Sequence, residues 1–341
     1  LYQGEADKAA ACYRQAVASE PRQIEARLQL ARLCRDAGDH NTARRHIHDV
    51  IRIDPKNGVA FYELGTLYYQ SGQSKKATAQ FRRAIYHAPG LAEAHYNLGV
   101  TFLQVKPVVA RRYFEQAIAL KAHYPEAYLN LSILARLKKR FDEAIRYAER
   151  AAQQAPESGR VWHNLGAAYR ESGRLLEAES AYRESMRLEG EHPDTLLDLS
   201  SVLLGFNRVP ESLALARKLI TQQPERPEAH WNASLCHLVA GNWKEGWEEH
   251  EWRLRDSSSR VRSFPQPRWK GETPNGRRIL LHAEQGLGDT IQFARYAPLV
   301  SAMGAEVTLA VYPSLIPLLK TMESVADVVS VDGPYPPFDF H

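Results

Sequence analysis

Two carboxylates, Glu284 and Asp289, mark the ends of a polar turn that contains two glycines. The turn reads Glu284-Gln285-Gly286-Leu287-Gly288-Asp289 and follows the apolar run Ile279–Ala283. Ligands of parallel sheets bind beyond the carboxyl ends of the strands, where a carboxylate can take a proton from a bound hydroxyl group. An aspartate at the start of a helix also commonly caps backbone N–H groups. Both roles stay open for Asp289, and Glu284 is the alternative carboxylate.

The glycines of this turn match neither of two common phosphate-binding motifs. A dinucleotide site needs G-x-G-x-x-G, and here Ile291 stands at the position of the third glycine. Such a site also needs an acid near the end of the second strand, where Val311-Tyr312-Pro313 has none. The G-K-[ST] of a P-loop and the D-x-D of a metal site are absent as well. The sequence therefore predicts no NAD cofactor and no metal here.

A second set of candidate residues consists of the side-chain amides Asn97, Asn130, Asn164 and Asn232, spaced by 33, 34 and 68 residues. An amide offers both a donor and an acceptor. A row of amides can therefore pair with the main chain of an extended peptide of any sequence. The alternative is a purely structural preference for asparagine. With the intervening positions the series, which we call the ladder, reads Gln29, Glu63, Asn97, Asn130, Asn164, Asp198 and Asn232.

The ladder residues lie within a regular repeat of the whole N-terminal region. A small residue is followed four and seven positions later by apolar residues. In the clearest copies a proline follows twelve positions after the small residue, as in Ala77, Phe81, Ala84 and Pro89. Spacings of three, four and seven put these residues on one face of a helix. The small residues are 34 positions apart except for one step of 33, and they are Ala9, Ala43, Ala77, Ala110, Ala144, Ala178, Ser212 and Gly246.

A second pattern precedes the small residue, as in Phe61, Leu64, Gly65 and Tyr68 before Ala77. The chain thus resembles the tetratricopeptide-repeat (TPR) family, whose W-x2-L-G-x2-Y…A-x3-F…P pattern has this period. The resemblance implies a mainly α fold, a right-handed superhelical solenoid over residues 1–254 with about eight repeats. It also implies that first helices line a concave groove for a protein or peptide partner. The ladder is similar to the asparagine ladder of O-GlcNAc transferases.

The repeat is interrupted in one place and then ends. Between Phe102 and Ala110 the turn lacks a glycine, and we expect a local irregularity there. Residues 255–277 are polar and proline-bearing, which is typical of a linker. Residues 278–341 then alternate apolar strands (279–283, 307–311, 328–331) with helical stretches. This order predicts a parallel sheet, here a partial α/β Rossmann-like segment.

Residues 282–296, His-Ala-Glu-Gln-Gly-Leu-Gly-Asp-Thr-Ile-Gln-Phe-Ala-Arg-Tyr, resemble the start of the glycosyltransferase domain in bacterial proteins that join TPRs to a GT-B unit. The turn is also similar to that of heptosyltransferases. The resemblance implies an inverting, metal-independent transfer from a nucleotide sugar, with Asp289 or Glu284 as the base. The donor and acceptor loop would comprise Gln285, Gly286, Gly288, Thr290 and His341.

This resemblance covers only the first part of a GT-B unit. We therefore expect the chain to be truncated at both ends and inactive alone, although the parent protein would be an enzyme. The alternative is a non-catalytic TPR scaffold for protein–protein interaction with a degenerate Rossmann-like tail.

Composition excludes some classes of protein. A net charge of +4 over 341 residues does not predict nucleic-acid binding, which usually needs a concentrated basic stripe. Cys12, Cys34 and Cys236 are far apart and odd in number, which predicts neither a zinc site nor a disulfide framework. A reducing, cytoplasmic setting is expected. No apolar run approaches the roughly 20 residues of a membrane span.

Overall fold

A computed structural model describes residues 2–255 and 262–341 of the chain. They form two compact units, Leu1–Glu249 and His250–His341. In residues 2–255 the structure contains helices and no strand, and the first strand of the chain begins at Arg278, where the sequence predicts it. None of the helices within the described residues is both long and apolar enough to cross a membrane.

The N-terminal unit is a succession of antiparallel helix pairs. Its helices are α1 (Tyr2–Ser19), α2 (Ile24–Asp36), α3 (His40–Ile53), α4 (Gly58–Gln70), α5 (Ser74–His87), α6 (Ala92–Phe102), α7 (Pro107–Leu120), α8 (Pro125–Leu137), α9 (Phe141–Gln154), α10 (Gly159–Glu171), α11 (Leu175–Glu189), α12 (Pro193–Gly205), α13 (Val209–Gln222), α14 (Pro227–Val239) and α15 (Trp243–His250). The even-numbered helices from α2 to α14 are the first helices of the pairs. Successive first helices contact one another, as α2 contacts α4 and α10 contacts α12, and together they form the first-helix surface.

Each pair is held by a close approach between a small residue of the first helix and the second helix. A Cβ atom added to Gly65 would lie 2.6 Å from the ring of Phe81, and one added to Gly166 would lie 2.8 Å from Tyr182. Serine replaces this glycine in three first helices, and in two of them its hydroxyl bonds to the second helix. Ser132 Oγ, for example, donates to the carbonyl of Ala144 at 2.9 Å. The helix spacing therefore tolerates a hydroxyl only where it has a partner.

Six of the seven turns between paired helices, from α2 to α15, contain one residue in the left-handed region. Glycines fill it at four turns, Gly38, Gly72, Gly173 and Gly241, with φ between 72° and 83°. Lys139 and Asn207 fill it in two others, at φ 55° and 58°. The turn after α6 has none of these residues, and α6 spans 11 residues instead of the 13 of the other first helices. The expected irregularity is confirmed there.

A side chain early in several first helices bonds to the carbonyl of the proline six residues before it. Arg27 Nη2 donates to Pro21 at 2.8 Å, His95 Nε2 to Pro89 at 3.0 Å, Trp162 Nε1 to Pro156 at 2.8 Å and His230 Nε2 to Pro224 at 2.8 Å. That proline ends the preceding second helix. The bond therefore fixes successive pairs to one another and satisfies a carbonyl at the end of a helix.

The C-terminal unit contains a small parallel sheet. Its elements are β1 (Arg278–His282), α16 (Leu287–Ala294), α17 (Ala297–Ala302), β2 (Glu306–Val311), α18 (Ile316–Leu319) and β3 (Asp327–Ser330). The strand order is β1-β2-β3, with Leu281 opposite Leu309 and Leu309 opposite Val328. On the free side of β1, Phe340 forms a parallel bridge with Ile279.

Two helical stretches of this unit are shorter than the sequence pattern indicates. The first is split into α16 and α17, because Pro298 can continue only the first turn of a helix. The second, between the second and third strands, is α-helical only from Ile316 to Leu319 after a 3-10 turn. The observed fold is thus mostly helical with a small three-stranded parallel sheet. This sheet with its short helices is not clearly the Rossmann-like segment that is expected from the sequence.

The close approach at Gly65 gives a stability prediction. Alanine there overpacks the contact with Phe81, which costs about 1–3 kcal/mol, against up to roughly 1 kcal/mol gained in helix propensity. We expect Gly65→Ala to lower the melting temperature measured by circular dichroism. Gly90→Ala is the matched control, because no atom lies within 4 Å of an added Cβ. Equal melting temperatures for the two variants would contradict this account of the helix pair.

Candidate functional site

The amides of Asn97 and Asn130 are held in the same way in consecutive repeats. Asn97 Nδ2 donates to the hydroxyl of Tyr62 at 3.4 Å, and Asn130 Nδ2 donates to the hydroxyl of Tyr96 at 3.2 Å. Each tyrosine lies one position before the ladder residue of the preceding first helix. Both asparagines are half-buried. Each amide is thus fixed by its neighbour while part of it still faces solvent.

Asn164 and Asn232 differ from this pair. Asn164 Nδ2 donates to the carbonyl of Arg160 in its own helix at 2.9 Å, and the residue is half-buried. Asn232 is 6% exposed, and its Nδ2 donates to the carbonyl of Leu197 at 3.2 Å and to Ser201 Oγ at 2.9 Å. The structure thus sets Asn232 between α14 and α12, apart from the three half-buried amides.

The two acidic ladder residues are neutralised by neighbouring arginines. Glu63 is buried and accepts hydrogen bonds from Arg32 and Arg35, both at 2.6 Å. Burial opposes the charge of Arg32, but the hydrogen bond to Glu63 and the negative charges around it together raise the pKa of the guanidinium. Asp198 accepts from the hydroxyl of Tyr182 at 3.1 Å and lies 3.5 Å from Arg170. Little net charge is therefore left at these positions of the ladder.

Burial also affects the titratable groups around Asp198. It raises the pKa of Tyr182, with the carboxylate of Asp198 as the next cause. It lowers the pKa of His163, whose Nδ1 hydrogen-bonds with Thr195 Oγ1 at 3.0 Å. These side chains thus favour their uncharged forms at neutral pH, and the only charges of the group are those of Asp198 and Arg170.

In the C-terminal unit, the structure separates the two candidate carboxylates by environment. Glu284 accepts two hydrogen bonds from Arg253, from Nε and Nη2, both at 2.8 Å. This ion pair outweighs burial and raises the pKa of Arg253. Asp289 is exposed and lies in the first turn of α16. The N-cap of α16 is Gly286, so the capping role considered for Asp289 is wrong.

The remaining turn residues and His341 lie at the same end of β1. Gln285, Gly286 and Gly288 are exposed, and Thr290 Oγ1 donates to the carbonyl of Gly286 at 2.9 Å. The ring of His341 lies 5.6 Å from that of His282, the last residue of β1. Burial lowers the pKa of both histidines. The arrangement leaves Asp289 as the accessible carboxylate of this turn.

Sequence reasoning missed the side chains that fix the candidate residues. Tyr62 and Tyr96 carry a signal, because a tyrosine precedes the ladder position in two consecutive repeats. Arg253 carries none, since it lies 31 positions before its partner Glu284. In residues 2–255 and 262–341, no group of three His, Cys, Asp or Glu side chains is arranged to hold a metal ion.

Comparisons with known proteins agree with the repeat. Models of the tetratricopeptide repeat match residues 1–58, 35–98, 104–169, 159–192 and 197–246, which together cover more than half of the chain. The matched ranges end at residue 246, and these matches give no support to the glycosyltransferase resemblance of residues 282–296.

Several characterised proteins are similar over long stretches. Protein FlbA of Caulobacter vibrioides is 25% identical over 83% of this chain and 49% of its own length. The BBSome complex member BBS4 homolog of Drosophila melanogaster is 27% identical over 59% of this chain and 44% of its own. The type IV pilus assembly protein PilF of Pseudomonas aeruginosa is 27% identical over 50% of this chain and 67% of its own. The chain thus spans about half the length of the first two relatives.

Solved structures share the fold. The Cut9–Hcn1 structure from the APC/C superimposes with a TM-score of 0.57 at 18% identity, over 69% of this chain and 46% of that chain. PilW, a type IV pilus biogenesis factor, superimposes with a TM-score of 0.53 at 24% identity, over 60% of this chain and 96% of its own.

Proposed function

Because this chain belongs to the tetratricopeptide-repeat family, we propose that it is a protein-interaction scaffold whose first-helix surface holds an extended segment of another polypeptide. The observation that carries this proposal is the matched pair of amides, Asn97 and Asn130. Both occupy the same repeat position, both are half-buried, and both donate to a tyrosine of the preceding repeat.

The chemistry of this surface favours the main chain of the partner over its side chains. An amide can accept a hydrogen bond from a peptide N–H and donate to a peptide carbonyl, groups that every sequence carries. The acids of the ladder, Glu63 and Asp198, are already paired with arginines. The relatives support the same class of function, since the names of the BBS4 homolog and of PilF describe members of assemblies.

Replacing the three half-buried amides tests the proposal. We expect Asn97→Ala/Asn130→Ala/Asn164→Ala to weaken peptide binding roughly tenfold to a thousandfold, since each hydrogen bond contributes about 0.5–1.5 kcal/mol. An array of mixed-sequence peptides would select ligands for the wild-type chain, and calorimetry would measure both proteins with them.

Asn232→Ala is the matched control for this experiment. It removes a buried donor, so we expect it to lower the free energy of unfolding by about 1–3 kcal/mol and to leave peptide affinity nearly unchanged. Unchanged affinity in the triple variant would remove the amides from the account. Loss of affinity in Asn232→Ala alone would have the same consequence.

A second function is proposed for the C-terminal unit, because Phe340 lies beside β1 on the side opposite β2. The spatial order is then β3-β2-β1 followed by the segment of Phe340, and the order reverses at β1. Ligands of open α/β sheets bind where the order reverses. The turn of residues 284–289 lies there. This supports the proposal that residues 278–341 begin a GT-B glycosyltransferase domain, joined by residues 255–277 to a scaffold of residues 1–254.

In this proposal Asp289 is the base, because the carboxylate of Glu284 already forms an ion pair with Arg253. The carboxylate of Asp289 would take the proton of the acceptor hydroxyl. The oxygen of that hydroxyl would form a bond to the sugar, and the bond between the sugar and the nucleoside diphosphate would break. Gln285, Gly286, Gly288, Thr290 and His341 would border the reacting groups. The nucleotide sugar is a substrate, and the protein or peptide acceptor would be held by the first-helix surface.

The second proposal predicts the effect of Asp289→Asn in the whole protein. We expect about 100-fold or more slower release of nucleoside diphosphate from the nucleotide sugar, the usual size of a general-base contribution. In Glu284→Gln the turnover should fall less, since that carboxylate is paired with Arg253. Near wild-type turnover of Asp289→Asn would exclude Asp289 as the base and leave Glu284 as the carboxylate to test. No turnover with any nucleotide sugar would leave only the scaffold.

A further inference from the structure

The second helices α3 and α5 carry an unusual concentration of positive charge. Together they contain seven arginines and lysines and one acid, Asp49, which is a net charge of +6. The whole chain carries only +4. We call six of these residues the basic second-helix face: Arg44, Arg45, Lys75, Lys76, Arg82 and Arg83.

Four of these six cations rest on aromatic rings instead of carboxylates. Arg83 lies 4.0 Å from the ring centre of Phe61, and Arg82 lies 5.8 Å from that of Phe102. Arg44 and Lys76 lie 6.0 Å and 5.4 Å from the ring centre of Tyr68. A ring holds the stem and one face of a guanidinium but takes none of its N–H donors. Lys76 donates to Gln73 and Arg45 to Thr42, both uncharged side chains. No carboxylate of the described residues pairs with this face, so its charge is available to an anion.

The same face of the later repeats is neutralised within the chain. Helices α9, α11 and α13 together contain six basic and eight acidic residues, a net charge of −2. Arg183 pairs with Glu179 at 2.8 Å, and Lys218 pairs with Glu191 at 2.5 Å. The fold of the repeat does not require unpaired cations on its second helices, so the charge of α3 and α5 needs another explanation.

We propose that the basic second-helix face binds an acidic segment of a second polypeptide, separately from the peptide held by the first helices. Lys75 and Arg82, like Lys76 and Arg83, are seven residues apart, which is about 10 Å along a helix. Three residues of a polyproline II helix cover a similar length at roughly 3.1 Å each, and every third side chain lies on the same face. A polypeptide with an acid at every third position would therefore meet one cation per acid.

Other polyanions fit this face less well. Duplex DNA carries one charge per roughly 1.7 Å, which is much denser than the spacing of these cations. An amphipathic helix that lies on a membrane inserts a row of apolar side chains. On α3 and α5, Tyr86 is the only large apolar side chain that is exposed.

The test uses the intact chain and a fluorescent poly-glutamate peptide of ~20 residues at ~50 mM salt, where surface charges are weakly screened. We expect Arg82→Glu/Arg83→Glu to weaken binding about tenfold, measured by fluorescence anisotropy. Arg217→Glu/Lys218→Glu is the matched control, because these residues hold the same two repeat positions in α13 and the change in charge is equal. It should weaken binding less than about twofold.

A second variant separates binding from folding. Arg83 packs on Phe61, so its loss can lower stability, whereas Lys75 is exposed and has no such contact. Lys75→Glu should therefore also weaken poly-glutamate binding, with a melting temperature close to that of the wild type. The triple alanine variant of Asn97, Asn130 and Asn164 should bind poly-glutamate as the wild type does.

Several outcomes would overturn the proposal. The first is a wild-type chain that does not bind poly-glutamate, and the second is an equal loss in the α5 and α13 variants. Tighter binding of duplex DNA, or of vesicles rich in anionic lipid, at the same salt would assign the face to another polyanion. Loss of poly-glutamate binding in the triple alanine variant would assign the acidic peptide to the first helices.

Discussion

The close contact between the two helices of each pair is the constraint on which the rest of the N-terminal unit depends. Gly65 packs against Phe81, Gly99 against Phe114, and Gly166 against Tyr182, each too closely for a Cβ atom. The ladder residue stands two positions before this contact. Two residues correspond to roughly 200° around a helix, so the contact turns the ladder away from the second helix and onto the first-helix surface. The same packing contact thus sets, in each of these repeats, both the core between the two helices and the position of the ladder residue.

The same constraint divides the molecule into surfaces with different chemistry. First helices contact each other in succession, and their arginines and carboxylates neutralise one another, as Arg35 does with Glu63. What remains on that surface is a set of amides and tyrosine hydroxyls. Second helices contact mainly their partners, so their exposed residues vary freely between repeats. The cations of α5 and the paired charges of α11 show how far they differ. In our two proposals, such a scaffold would hold two partners at once.

The sequence predicts this fold well because its signal is periodic and local. Spacings of three, four and seven locate the helices, and the change to short apolar runs locates β1 at Arg278. Contacts between distant residues cannot be predicted in this way. Asn232 has the same spacing as the other amides, but its partner Ser201 lies 31 residues away and holds it in the interior. Glu284 likewise accepts hydrogen bonds from Arg253, which lies 31 residues before it. Only the structure shows that this ion pair leaves Asp289 as the accessible carboxylate.

The central claim is that an extended polypeptide lies against the first helices, and site-specific photo-crosslinking tests it most directly. A benzophenone side chain would replace Asn130 on the first-helix surface or Arg146 on the exposed face of α9. Each protein would then be irradiated with the mixed-sequence peptides, and the adducts would be counted by mass spectrometry. The account predicts peptide adducts at position 130 and few at position 146. Adducts at position 146 alone, or equal yields at both, would contradict it.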